Sequence, residues 1–248
     1  MLKNQKLKIT LVTIFCIIEA ILFFLVQTTN GDTCVFVSYL SIILAFAFMI
    51  TNASLTKNYF LMQIGLLCTL GADLFLVVLE PIQELPAMFF FSGTQICYFL
   101  RLYFNQKTQK EKKIHLISRA GVSVLAIIIA IIVLKENTDA LSIVSMFYYS
   151  NLVVNVIVAF TQCKTSILFP IGLLLFLCCD TVIGIDVMLS DYLHSSNSSA
   201  VTNALFSKLN WSWIFYLPSQ ALIALSLTKF KDNNQGNGTK NVHGVKKL

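Results

Sequence analysis

Charged residues are scarce in this sequence. Only 12% of its 248 residues are Asp, Glu, Lys or Arg, whereas a soluble domain of this size would carry about 25%. Hydrophobic residues make up 56% of the chain instead, and the mean hydropathy is +0.76. This composition excludes an ordinary soluble domain and predicts a polytopic membrane protein.

The sequence also lacks the motifs of several classes of site. Its seven cysteines form no CxxC pair and have no spacing to histidine that suits a metal, so we expect neither a metal site nor a disulfide framework. It contains no serine-nucleophile elbow, no HExxH motif and no phosphate-binding loop. None of these offers a route to chemistry in this chain.

Apolar stretches of about 20 residues, the length that crosses a bilayer, occur eight times. The first follows the basic start MLKNQKLK and lacks a clear small-residue cleavage site, so we interpret it as a helix and not as a signal peptide. We therefore predict an all-α domain of eight transmembrane helices over residues 1–229 and a disordered polar tail over residues 230–248. The predicted spans are Lys8–Gln27, Cys34–Asn52, Asn58–Leu79, Pro86–Phe104, His115–Leu134, Ala140–Phe160, Ile167–Leu189 and Leu209–Lys229.

Basic residues are distributed unevenly among the connections between these spans. The two termini and the even-numbered connections are assigned sixteen Lys and Arg residues, Arg101 and Arg119 among them, whereas the odd-numbered connections carry only Lys135 and Lys208. Such a bias places the basic side in the cytoplasm, so we expect both termini there. The net charge of +6 therefore follows the membrane topology, and we expect no nucleic-acid partner.

Two segments of the chain resemble each other. GLLCTLGAD ends at Asp73 and GLLLFLCCD ends at Asp180, with glycine, leucines and aspartate in register. The helix that follows carries Gln95 in the first case and Gln220 in the second. We interpret this as an internal duplication with parallel repeats, which places two aspartates and two glutamines around one pocket. The repeats would span residues 8–104 and 115–229.

Polar side chains recur at similar depth in six of the eight predicted spans. Residues that line a shared cavity would agree in depth, whereas scattered structural residues need not. An aspartate in a span marks a functional site by default; the alternatives are a protonated carboxyl bonded to a neighbouring helix and, for the amides, interhelical hydrogen bonding. The candidate catalytic residues are Asp73 and Asp180. The candidate substrate-binding residues are Glu19, Gln95, Tyr98, Asn151, Asn155, Thr181, Tyr216 and Gln220.

A pair of carboxyl groups inside a membrane has a specific chemical use. When two such groups lie close together, they can share one proton. One then donates a proton while the other accepts a proton from water. This arrangement suits the acid-catalysed hydrolysis of an acid-labile bond.

Four segments of the chain match the pattern of a known family. GLLCTLGADLFLVVLEP and FFFSGTQICY resemble a helix carrying Gly-Asp, an acidic or Pro-containing turn and a Phe-rich helix; CCDT resembles a second aspartate followed by a small hydroxyl residue; FYLPSQALIALSL resembles a last helix. From Lys57 to Thr228 the chain thus resembles the lysoplasmalogenase (YhhN-type) membrane family. Two positions depart from its pattern: Ala72 stands where the family usually has glycine, and Gln95 where it usually has a titratable histidine.

The resemblance implies hydrolysis of the vinyl-ether bond of a lysoplasmalogen, which releases a fatty aldehyde and a glycerophospho headgroup. Asp73 and Asp180 would be the acid and the base, and Gln95 and Gln220 would orient water or the ether oxygen. The implied partners are a lysophospholipid substrate and membrane lipid, and no metal or organic cofactor is needed. Two other functions stay open: a transporter or lipid-binding protein that uses the same cavity, and a non-catalytic relative that acts as a membrane scaffold.

Overall fold

The computed structural model describes residues 5–51, 57–163, 167–187 and 210–228. Within these ranges the chain forms helices and no strand, as the sequence predicts. A π-helical turn, Leu74–Val78, continues the third α-helix, and a 3₁₀ turn, Lys135–Asn137, follows the fifth. The α-helices are α1 (Gln5–Thr28), α2 (Gly31–Thr51), α3 (Lys57–Asp73), α4 (Glu84–Asn105), α5 (Gln109–Leu134), α6 (Ala140–Thr161), α7 (Leu168–Val187) and α8 (Trp211–Leu225).

Six of these helices are long and apolar enough to cross a membrane: α1, α2, α3 with its π-helical turn, α5, α6 and α7. The sequence predicts eight spans, and the remaining two, Pro86–Phe104 and Leu209–Lys229, overlap α4 and α8. Neither helix is among the six, because α4 carries several polar residues and α8 is described over only 15 residues. The predicted connection at 190–208 and the predicted tail at 230–248 lie outside the described residues.

Polar residues lie inside the helix bundle, and many large apolar residues lie on its surface. Ser38, Thr69 and Asn155 are fully buried, whereas Phe24 and Phe36 are largely exposed. Soluble proteins bury their phenylalanines and expose most of their polar residues. The distribution therefore indicates that the surface faces lipid and that the polar side chains are collected in the interior.

Two glycines allow the closest helix contacts. A Cβ atom at Gly65 of α3 would lie 2.8 Å from the Tyr98 ring of α4, and a Cβ atom at Gly172 of α7 would lie 2.8 Å from Ile223 Cγ1 of α8. Because these glycines carry no side chain, the backbones come close enough for the Thr94 hydroxyl of α4 to donate a hydrogen bond of 3.0 Å to the Gly65 carbonyl oxygen. The helices that carry the two aspartates, α3 and α7, therefore pack tightly against α4 and α8.

Two arginines that the charge analysis assigns to connections lie within helices, so that assignment is wrong for both. Arg119 of α5 is only 7% exposed. Arg101 of α4 lies over the Phe169 ring of α7, with 3.9 Å between its guanidinium carbon and the ring centroid. Both side chains turn towards partners inside the bundle instead of towards water.

The fifth helix starts earlier than the predicted span does. It begins at Gln109 and not at His115, because a capping box precedes it. The Thr108 hydroxyl accepts a hydrogen bond of 3.1 Å from the Glu111 backbone N–H, and the Glu111 carboxylate accepts one of 3.3 Å from the Thr108 backbone N–H. This box satisfies amide groups at the helix start, so much of the basic connection is helical.

Candidate active site

Asp73 lies where α3 changes into the π-helical turn Leu74–Val78. Such turns are rare and frequently mark functional sites. Asp73 is 3% exposed, and its carboxyl group accepts a hydrogen bond of 2.6 Å from the hydroxyl of Tyr216 in α8. Ala72, at the position where the resemblance expects glycine, is fully buried beside it. A buried carboxyl–tyrosine pair thus joins α3 to α8.

Asp180 forms a second carboxyl–tyrosine pair. It lies on α7, is partly exposed, and accepts a hydrogen bond from the hydroxyl of Tyr148 in α6. Asp73 and Asp180 lie within electrostatic range of each other, as do Tyr148 and Tyr216. Four helices therefore bring two carboxyl groups and two phenols together, and we call these four residues the carboxyl cluster. The described residues contain no group of three His, Cys, Asp or Glu side chains that could hold a metal ion.

Aromatic rings support the carboxyl cluster. Phe176 of α7 is fully buried, and its ring centroid lies 5.4 Å from that of Tyr216 and 6.5 Å from that of Tyr148. Phe91 of α4 stacks on Tyr148 at 5.5 Å. These ring contacts have the offset and edge-on geometry that aromatic pairs favour. They hold both phenols in place and give the cluster an apolar side that suits a hydrocarbon chain.

A second polar cluster joins α4, α5 and α6. Asn155 donates hydrogen bonds of 2.9 Å to the Gln95 side-chain oxygen and 3.0 Å to the Gln95 backbone oxygen. Arg119 donates to the side-chain oxygens of Asn155 and Asn151, and Asn151 donates to the hydroxyl of Ser123 at 3.3 Å. We call Gln95, Arg119, Asn151 and Asn155 the arginine cluster. It joins three of the predicted site residues through one arginine.

The two clusters share one face of α6. Tyr148, Asn151 and Asn155 follow one another at spacings of three and four residues, so their side chains line the same face. Tyr148 binds Asp180, and Asn151, about one helical turn further along, binds Arg119. A row of polar contacts therefore runs from the carboxyl cluster to the arginine cluster.

Tyr98 and Glu19, two predicted site residues, contact other parts of the bundle. Tyr98 is fully buried against Gly65, and its ring meets that of Phe169 edge to face at 5.6 Å. Glu19 of α1 accepts a hydrogen bond of 2.5 Å from the hydroxyl of Ser41 in α2. Among the described residues, no hydrogen bond joins either side chain to the carboxyl cluster.

Thr181 and Gln220 make local contacts. The Thr181 hydroxyl lies 2.9 Å from the hydroxyl of Tyr149, one position away from the Asp180–Tyr148 pair on both helices. Gln220 is fully buried, and its side-chain nitrogen donates to the Ser219 hydroxyl at 3.2 Å. Thr181 therefore reinforces the contact between α6 and α7 that holds Asp180, while Gln220 of α8 is buried inside the helix bundle.

Sequence reasoning leaves two organising residues out of the site. Tyr148 binds Asp180, and the sequence signal for it is its place in the polar stripe with Asn151 and Asn155. Arg119 binds both asparagines, and its signal is its position inside a predicted span. In each case the residue type and depth are visible in the sequence, but the partner on another helix is not.

A family model matches most of the chain. The matched segment, residues 33–227, fits the YhhN family and contains both clusters. No curated protein and no solved structure matches the chain. The match supports a function of the lysoplasmalogenase type at the level of the family, and it agrees with the apolar helices in indicating a membrane protein. The resemblance carried by GLLCTLGAD and CCDT is thus confirmed, and the chain belongs to the YhhN family, the family of lysoplasmalogenases.

Proposed function

We propose that this protein hydrolyses the vinyl-ether bond of a lysoplasmalogen, with Asp73 and Asp180 as acid and base. The observation that carries the proposal is the carboxyl cluster, in which each aspartate is bound by a tyrosine and lies within electrostatic range of the other. A vinyl ether is cleaved by acid, so its hydrolysis needs a proton donor held beside the double bond. Membership of the YhhN family supports the same substrate class, a lysophospholipid with an alkenyl chain.

The reaction begins with a proton transfer to carbon. One aspartic acid protonates the outer carbon of the double bond, whose electron pair forms the new C–H bond. The inner carbon and the ether oxygen share the positive charge as an oxocarbenium ion, which the new carboxylate stabilises. Water then adds to this cation while the second aspartate takes its proton.

The resulting hemiacetal breaks into a fatty aldehyde and a glycerophospho alcohol. Its C–O bond to glycerol is cleaved, and the proton of its hydroxyl group ends on the glycerol oxygen. A proton shift between the two aspartates restores the starting state, so the pair gains and loses no proton overall. Two carboxyl groups that share one proton are therefore sufficient for the complete cycle.

Gln95 takes the place of the family's histidine and cannot act as a proton donor or base. Its side-chain oxygen accepts from Asn155 at 2.9 Å, while its side-chain nitrogen is buried with no hydrogen-bond partner in the described part of the chain. Both proton transfers therefore fall to the aspartates. To Gln220, whose side-chain oxygen is buried without a hydrogen-bond partner in the described part of the chain, we assign the orientation of water or the ether oxygen.

We assign eight spans, two parallel repeats and cytoplasmic termini to the membrane domain. Equivalent glycine contacts support the repeats: Gly65 meets the residue three positions after Gln95, and Gly172 meets the residue three positions after Gln220. The surplus of basic residues on one set of connections supports the orientation.

Release of aldehyde from a lysoplasmalogen by the purified protein tests the proposal. A saturated ether lysolipid with the same headgroup is the control substrate, because protonation of it yields no oxocarbenium ion. Asp73→Asn and Asp180→Asn keep the shape and much of the hydrogen bonding but remove proton transfer. Each should lower kcat by about 10²–10⁴-fold.

Asp186→Asn is the matched control variant. Asp186 lies on α7, the helix of Asp180, and is not part of the carboxyl cluster, so this variant should keep the parent activity. If Asp73→Asn or Asp180→Asn turns over like the parent, that residue is structural and the mechanism is wrong. If the parent binds lysolipid and releases no aldehyde, lipid binding or transport replaces hydrolysis as the function of the site.

A further inference from the structure

Arg119 is a buried cation with no anionic partner among the described residues. It is 7% exposed, and its guanidinium carbon lies 4.2 Å from the centroid of the Phe99 ring. Its terminal nitrogens donate to the neutral amides Asn151 and Asn155, and its Nε–H is buried without a partner. A buried charge that is not neutralised is costly, and a charged residue inside a membrane helix marks a functional site by default.

Two side chains linked to Arg119 also carry unpaired nitrogens: Gln95 shares Asn155 with it, and His115 packs on the same Phe99 ring. Gln95 Nε2 and His115 Nε2 are buried without a hydrogen-bond partner, as is Arg119 Nε. His115 lies one helical turn before Arg119 on α5. The Gln106 side-chain nitrogen lies 2.9 Å from its Nδ1, and in the tautomer that accepts this hydrogen bond the proton is on Nε2, which is then a donor. The side-chain oxygen of Gln106 is a buried acceptor without a partner, but it lies beside Nδ1 and therefore on the side of the ring away from Nε2. Three helix-borne donors therefore call for a ligand rich in acceptor oxygens.

We propose that Arg119, together with Gln95 and His115, binds the phosphate group of the lysolipid. A phosphate diester supplies negative charge and acceptor oxygens and has no donor of its own. The planar fork of an arginine matches two phosphate oxygens, and such charge-assisted hydrogen bonds are stronger than neutral ones. This assignment rests on the function proposed above and adds to it the place of the headgroup.

The spacing of the two clusters fits one lysolipid. Three glycerol carbons separate the ether oxygen from the phosphate oxygen, a span comparable to one helical turn of about 5.4 Å. On α6, Tyr148 binds Asp180, and Asn151, about one turn further along, binds Arg119. With its phosphate at Arg119, the lipid therefore presents its ether bond to the carboxyl cluster. His115 lies near the start of α5, the end predicted to face the cytoplasm, so the headgroup points to that side.

Binding of two unreactive lipids tests this site without turnover. The ligands are a saturated 1-O-alkyl lysophosphatidylethanolamine and the matching phosphate-free 1-O-alkylglycerol, titrated into the purified full chain in detergent. The parent should bind the phosphate lipid at least about tenfold more tightly. Arg119→Gln should lower its affinity for the phosphate lipid by about 10–100-fold, the value of a hydrogen-bonded charge, and leave the affinity for the alkylglycerol within about twofold.

Arg101→Gln is the control for loss of a buried arginine. Arg101 contacts Met62 and the Phe169 ring and belongs to neither cluster, so this variant should keep the parent's preference. If Arg119→Gln does not fold, as judged by its elution and thermal unfolding, Arg119→Lys decides. It keeps the charge and loses the fork, so the preference should fall by about threefold to tenfold.

Equal affinity of the parent for the two lipids overturns the proposal, and so does an unchanged preference in the Arg119 variant that is tested. A titration with inorganic phosphate separates the sources of the anion. The site is supported if inorganic phosphate displaces the phosphate lipid from the parent and displaces it less well from the Arg119 variant. If inorganic phosphate binds but the parent has equal affinity for both lipids, the site binds free phosphate and not the lipid headgroup. Because neither lipid is a vinyl ether, failure to release aldehyde would refute the hydrolase without altering this result.

Discussion

The hydrogen bond between Tyr216 and Asp73 leads to a quantitative prediction about catalysis. Tyr216→Phe removes the hydroxyl that donates to Asp73 at 2.6 Å and keeps the ring that packs on Phe176 at 5.4 Å. As the acid, Asp73 becomes ionised in the protonation step; as the base, it must be ionised while Asp180 carries the shared proton. The Tyr216 bond favours that ionised form in both cases, and a hydrogen bond to a charged group contributes about 1.5–3 kcal/mol. With about 1.4 kcal/mol for each factor of ten in rate, kcat should fall by about 10–150-fold.

Tyr59→Phe is the matched control for this substitution. Tyr59 is 7% exposed, and its hydroxyl donates to the backbone oxygen of Leu227. Both variants leave a buried acceptor unpaired, so each should lower the free energy of unfolding by about 1–3 kcal/mol. Only Tyr216→Phe should slow the chemical step.

The assay combines initial rates of aldehyde release with thermal unfolding of each variant in the same detergent. Tyr148→Phe, which removes the donor to Asp180, should behave like Tyr216→Phe. Parent-like turnover of Tyr216→Phe would refute the reasoning, because the bond would then stabilise the fold and not the reaction. An equal loss of rate in Tyr59→Phe would refute it as well, since the effect would then follow from general destabilisation.

Two further predictions concern packing and topology. Gly172→Ala would place a Cβ atom 3.1 Å from the Ser219 backbone oxygen, so thermal unfolding should show a loss of stability of about 1–3 kcal/mol. Gly184→Ala is the control, because its Cβ atom would have nothing within 4 Å and should leave stability unchanged. Equal stability of the two variants would contradict the tight α7–α8 contact. The cysteine of Glu136→Cys should react with an impermeant maleimide on intact cells, whereas that of Lys110→Cys should react only after permeabilisation. Labelling of the parent, which carries only the native cysteines, is the background for both. The reverse pattern would show that the orientation is opposite.

The sequence identifies the aspartates but not their partners. The shared GLLxxLxxD pattern selects Asp73 and Asp180, and each of them is bound by a tyrosine that packs on the Phe176 ring. Tyr216 and Asp73 are far apart in the chain, and whether they meet depends on how each helix rotates about its axis. Hydrophobic periodicity does not fix that rotation when most faces of a helix carry apolar residues. The choice of tyrosine for each carboxyl group therefore comes only from packing.

The position of Arg119 shows a different limit of sequence reasoning. Near the end of a membrane helix, an arginine usually extends to the interface and keeps its charge in water. Arg119 turns inward instead, because Asn151 and Asn155 present two amide oxygens about one turn apart on the facing helix. A count of charges along the chain cannot distinguish these two directions. The same count treats every basic residue as part of a connection, which is the source of the error.

Hydropathy is least informative for the helices that build the site. α4 is central to the bundle and packs against α3 and α6, yet it is not among the six apolar helices. Its buried faces carry Ser92, Thr94 and Gln95, whose polarity lowers the average although neighbouring helices shield them from lipid. Its 22 residues extend about 33 Å at the α-helical rise, enough for a hydrocarbon core of about 30 Å. Hydropathy reports how well a helix suits contact with lipid, whereas its length and its hydrogen bonds inside the bundle decide whether it can span the membrane. On those grounds we expect α4 to cross the membrane.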